Sequence, residues 1–159
     1  MTGVQTCALP ILRVLALDVG EATIGVARSD ALGITAQGLL SIFRESIKKD
    51  TTKIIDILRE DDYSEIVIGM PLNTYSEAKN EQSIFTEKFA DKLQNKLRSS
   101  GMSNIKVEFY DERFTTKMAR DVLIQGGIKG KKQKDVIDKQ AAVILLQSYL
   151  DKKSYRDER

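Results

Sequence analysis

Four acidic side chains fall where the surrounding pattern calls for core residues. Asp18 closes an apolar run at 14–17, Asp111 and Glu112 follow Val107, Phe109 and Tyr110, and Asp138 opens an otherwise apolar helical stretch. An isolated buried carboxylate is costly unless a cation or a metal meets it. Four such acids in one chain suggest a shared site for a divalent ion held by oxygen. The chain has no His, which removes imidazole bases, Cys/His zinc sites and nucleophiles that depend on an imidazole partner. Each acid also has a plain structural reading. Asp18, two residues before Gly20, could serve a turn, Asp138 could cap a helix or face its dipole, and Asp111 and Glu112 could pair with Arg113. Their coincidence at three strand or helix ends favours the metal.

The elements that must position these acids are legible from period and punctuation. Residues 13–19 and 22–30 read as two strands joined by the tight Asp18-Val19-Gly20 connection, an antiparallel hairpin, and residues 38–43 as a third strand. Residues 48–60 carry Ile54, Ile55 and Leu58 at helical spacing, and 65–70 form a short apolar strand stopped by Pro71. Residues 80–97 repeat the helical pattern through Phe85, Phe89 and Leu93, 105–110 read as a strand, and 115–125 and 136–150 as two further helices. The order βββαβαβαα predicts an α/β fold with a central mixed sheet and helices on both faces.

With 159 residues, 25 Lys plus Arg against 23 Asp plus Glu and a net charge of +2, the chain suits one domain without a general basic coat. Any nucleic-acid surface must then be local. Residues 126–134 (GGIKGKKQK) supply it, because Lys129, Lys131, Lys132 and Lys134 sit among three glycines, as a flexible loop beside a phosphate backbone would. A solvated lysine run with no partner is the plain alternative. The polar connection at 72–79 follows a strand's C-terminal end, where open α/β sheets place ligands. The lone Cys7 excludes an internal disulfide and fits a reducing, cytoplasmic location. Residues 1–11 have no clear period and read as a non-native tail, 12–151 as the domain and 152–159 as a polar C-terminal tail.

LDVGEATIGVARSD (17–30), IVIGMPLN (66–73), DERFTT (111–116) and the stretch 131–151 resemble, in order, the successive motifs of the YqgF/RuvX family. The resemblance implies a ribonuclease H-like fold and Mg²⁺- or Mn²⁺-dependent hydrolysis of phosphodiesters, under the family's two names of Holliday junction resolvase and pre-16S rRNA nuclease. Carried over by position, Asp18, Glu112 and Asp138 are the implied catalytic and metal-binding acids, with Asp111 the alternative to Glu112. Two ions about 4 Å apart would need such bridging carboxylates. Arg113, Thr115 and Thr116 become phosphate contacts, although Arg113 could equally serve a salt bridge and Thr115 a helix cap. The family's basic residue after the first-strand DxG is replaced here by Glu21-Ala22-Thr23, and its glycine-containing loop by residues 75–78. Both departures bear on substrate choice.

The expected substrate is structured RNA, the 5′ end of precursor 16S rRNA within a ribosomal precursor particle, with branched DNA as the alternative. No membrane partner is expected, and the chain should be a monomer or weak homodimer. The first hairpin also resembles the phosphate-binding hairpin of actin-like ATPases, but 159 residues cannot supply the second domain such enzymes need. A non-catalytic RNA-binding assembly factor is the remaining alternative.

Overall fold

A computed structural model describes residues 13–70, 81–111 and 131–157, with side chains in the last stretch described for 139–153. Its elements are β1 (Val14–Val19), β2 (Thr23–Ser29), β3 (Ala36–Phe43), α1 (Ile47–Arg59), β4 (Glu65–Met70), α2 (Glu81–Ser99), β5 (Lys106–Asp111) and α3 (Lys131–Asp157). The five strands form one sheet in the order β3-β2-β1-β4-β5. β2 runs antiparallel to both β1 and β3, whereas β4 is parallel to β1 and β5 to β4. Parallel neighbours require crossovers, and α1 and α2 lie in the connections that lead into β4 and β5.

Strand alternation sorts the core into two layers. Leu15, Leu17, Val19, Ile24, Val26, Ile66 and Ile68 face Ile54 and Leu58 of α1 and Phe89, Leu93 and Leu97 of α2. Val14, Ala16, Ala27 and Val67 face Ala142, Leu145, Leu146 and Leu150 of α3. Each fully buried Leu or Phe contributes about 1.5–3 kcal/mol of transfer free energy. The second layer is built from small residues, so α3 lies close to the sheet: a Cβ on Gly38 would stand 3.5 Å from Val143 Cγ2.

Local chemistry sets the element ends. Ser46 caps α1 by accepting from the Lys49 N–H, and the buried Asp50 in its first turn accepts from the Glu45 N–H at 3.2 Å. α2 ends on Gly101 at φ +76°, with the Met102 N–H reaching back to Leu97 O at 2.8 Å.

Three boundaries differ from the sequence pattern. β3 begins at Ala36, because residues 36–38 pair with 27–29 through ladder hydrogen bonds that an apolar pattern does not report. α3 begins at Lys131 and continues to Asp157. Residues 131–134 are therefore the start of a helix and not the end of a flexible basic loop, since no Gly or Pro follows Gly130 to oppose lysines, which are good helix formers. Residues 152–157 likewise continue the helix. The tail at 1–11, the connection at 72–79, the expected helix at 115–125 and residues 126–130 lie outside the described residues.

Candidate active site

β1, β4 and β5 point the same way, so Asp18, Met70 and Asp111 come together at one end of the sheet, with Met70 paired to Asp111. Asp18 is the half-buried exception in an otherwise buried strand. It alternates with Ala16 and Val14 onto the α3 face and stands opposite Gly25 in the antiparallel ladder. Gly69 lies one residue beyond Ile68, the partner of Leu17 in the parallel ladder. Both strands flanking β1 thus carry glycine at the level of Asp18, so no Cβ stands beside it in either ladder. Two rows away on the same face, Phe43 at the end of β3 pairs with Thr23 and is 65% exposed.

Asp111 falls on the other face. It alternates with Val107, which packs in the α1/α2 layer, whereas Tyr110 packs in the α3 layer. Asp18 and Asp111 therefore share an end of the sheet but not a side of it. Glu112, Arg113, Thr115, Thr116 and Lys129 lie outside the described residues. Lys131, Lys132, Lys134 and Asp138 lie in the first two turns or so of α3, with their side chains outside the described residues. The first turn of α3 contains no acid, so three lysines stand at the positive end of the helix dipole, against the usual preference. Among the described residues no group of three or more His, Cys, Asp or Glu is arranged to hold a metal.

α3 is fastened to the sheet at its far end. The Tyr149 hydroxyl shares its proton between Glu108 Oε2 at 2.8 Å and Glu65 Oε2 at 3.1 Å, while Lys153 Nζ lies 2.8 Å from Glu65 Oε1. Tyr110 meets Tyr149 edge to face at 5.7 Å and hydrogen-bonds Ser148 at 2.8 Å. Burial, then the hydrogen bond to Glu108 and the charge of Glu65, push the Tyr149 hydroxyl far above its ordinary value. This fastening ties the C-terminal half of α3 to β4 and β5.

Sequence pattern missed two side chains at the hairpin after Asp18. Arg44, just beyond β3, donates from Nη1 to Gly20 O at 2.6 Å and Glu21 O at 2.7 Å, and its guanidinium lies 3.8 Å over the Phe85 ring. Gln82, in the first turn of α2, donates from Nε2 to Val19 O at 2.6 Å. Neither belongs to a motif, and only an Arg immediately after a strand that pairs with the hairpin hinted at the first.

Residues 12–152 match the family described as RuvX: Holliday junction resolvase. A "Putative pre-16S rRNA nuclease" of Carboxydothermus hydrogenoformans is 43% identical over 143 residues, covering 90% of this chain and 99% of that one. A protein of the same name from Clostridium tetani is 41% identical over 140 residues, covering 88% and 96%. Among solved structures, the yeast mitochondrial Holliday junction resolvase Ydc2 superposes with a TM-score of 0.58 at 11% identity, covering 98% of this chain and 86% of that one. RuvC of T. thermophilus in complex with a Holliday junction substrate superposes with a TM-score of 0.54 at 12% identity, covering 89% and 96%. At such identities the likeness is one of fold, the ribonuclease H-like sheet.

Proposed function

The chain belongs to the RuvX family, and on that premise we propose that it is a metal-dependent endonuclease that cleaves the 5′ region of precursor 16S rRNA. The observation that carries the reading is Asp18, a half-buried carboxylate at the end of the central strand, facing α3 with glycines on both neighbouring strands.

The donor chemistry fits a hard divalent cation: carboxylate oxygen in a chain without imidazole. Asp18, Glu112 and Asp138 would hold Mg²⁺ or Mn²⁺, which supplies an activated water and stabilises the leaving oxygen, in a two-ion arrangement. Strand parity speaks against Asp111, which takes the face away from Asp18, and so leaves Glu112 as the preferred middle acid. The polypeptide itself binds and aligns the phosphodiester. Arg113, Thr115 and Thr116 would contact the phosphate at the cut, and Lys129, Lys131, Lys132 and Lys134 would hold the flanking backbone. Exposed Phe43, on the same face as Asp18, gives an unpaired base a surface to stack on.

Incubation of the purified chain with a 16S precursor and Mn²⁺ or Mg²⁺ tests this reading. Cleavage that stops on adding chelator is expected, and undiminished cleavage with chelator present would overturn it. Binding without cleavage in either metal would mark a non-catalytic assembly factor. Four-way DNA is the second reading, favoured by the family's description. It requires two symmetric cuts and hence a dimer on the junction. Among the described residues no helix is long and apolar enough to cross a membrane.

A further inference from the structure

We propose that Arg44 and Gln82 are positioning residues that lock the backbone immediately after Asp18 and thereby fix the direction of its carboxylate. The inference rests on the reading of Asp18 as the site's central acid. Five consecutive carbonyls follow Asp18 in the chain, those of residues 19–23, and every one accepts a hydrogen bond. Gln82 takes that of Val19, the Arg44 side chain takes those of Gly20 and Glu21, the Arg44 N–H takes that of Ala22 at 2.9 Å, and the Gly20 N–H takes that of Thr23 at 2.8 Å.

A hairpin connection of this length closes with the Gly20–Thr23 bond alone. The other four come from residues far along the chain, one after β3 and one at the start of α2, so the turn is tied to both elements that border it. The guanidinium carbon also lies 3.8 Å from the Phe85 ring centroid, a cation–π contact that restricts the side chain while its fork bonds two carbonyls at once. Gly20 leaves no slack, because a Cβ there would lie 3.0 Å from Thr23 O. Asp18 is bounded on one side by the β1 ladder and on the other by this fixed turn. With glycine at its level on both neighbouring strands, the carboxylate starts from a Cα whose place is set by the ladder before it and by this turn after it. Catalytic geometry tolerates displacements of only about 0.5 Å.

The test compares the full chain with Arg44→Met and Arg44→Lys, following kcat and KM on a 16S precursor, Mn²⁺ affinity by calorimetry, and exchange of the Gly20 amide. For Arg44→Met the expected result is a kcat reduced about tenfold or more, KM within about twofold, weaker Mn²⁺ binding and faster Gly20 exchange. Arg44→Lys, able to reach both carbonyls but not to stack as a plane, should recover part of each loss. If Arg44→Met melts, Gln82→Met carries the same comparison. Wild-type kcat and Mn²⁺ affinity in a folded Arg44→Met would overturn the proposal. Should the unmodified chain cut nothing, the nuclease reading fails by itself, and the Mn²⁺ and exchange measurements still decide the role of Arg44.

Discussion

Asp18 faces Gly25 across the β1–β2 ladder, both on the side of the sheet that α3 covers. A glycine inside a buried strand costs backbone entropy and gives up packing. Here the glycine stands beside the one half-buried carboxylate of the central strand.

Gly25→Val should therefore separate folding from function. Valine is a better strand residue, which offsets part of the cost of fitting an isopropyl group at this buried position, so the protein should stay folded while cleavage falls by about tenfold or more as that group crowds Asp18. Thermal melting and cleavage rates on the same preparation check it. Unimpaired cleavage would mean that substrate and metal approach from elsewhere.

Glu112→Gln and Asp111→Asn should differ. Strand parity puts Asp111 on the face away from Asp18, so Asp111→Asn should keep activity within about threefold, whereas Glu112→Gln should lose about a hundredfold or more. Single-turnover cleavage measures both. Equal losses would show that the chain turns at this point and the two acids act together.

Neutral replacement of Lys129, Lys131, Lys132 and Lys134 should weaken RNA binding across all sequences. It should also flatten the salt dependence of affinity by about 0.7 log units per lost single-strand phosphate contact, or about 0.9 for duplex. Mn²⁺ affinity should survive. Titrations at several salt concentrations decide it, and an unchanged slope would place the phosphate contacts on other residues.

The fastening of α3 should show in alkaline solution. The folded state raises the Tyr149 hydroxyl above its ordinary value of 10.0. Its contribution to stability is thus complete below pH 10 and lost progressively as pH climbs above it. Tyr149→Phe should lower stability at neutral pH by about 1–2 kcal/mol, by breaking hydrogen bonds to Glu65 and Glu108. It should also remove part of the decline above pH 10. Denaturant unfolding at pH 7 and across the alkaline range measures both effects, and parallel alkaline declines in the two proteins would exclude Tyr149 as their source.

The sheet was readable because its strands are short apolar runs closed by Gly, Pro or an acid. The residues at 65–70 became β4 to the residue. The start of α3 was not, because a charge run next to glycines reads as loop while lysine's helix propensity pulls the other way. Asp18 announced itself as a charge inside an apolar strand. Arg44 and Gln82 did not, because their partners are backbone carbonyls, and a carbonyl leaves no trace in the identity of its residue. The glycines beside Asp18 were equally hidden, since Gly25 and Gly69 become neighbours of that acid only once the register of two ladders is known.

The central claim is that Asp18 organises a metal-dependent cut in precursor rRNA. The most direct measurement is side-by-side cleavage of a 16S precursor and a synthetic four-way DNA junction by the unmodified chain, Asp18→Asn and Asp138→Asn, each with Mg²⁺, Mn²⁺ or chelator. The account predicts precursor cleavage in metal by the unmodified chain and none in chelator. Both variants should lose it while staying folded and still binding the RNA, because the amide keeps the shape of the carboxylate and gives up its charge. Wild-type turnover by Asp18→Asn, or efficient resolution of the junction with no cut in the precursor, would contradict it.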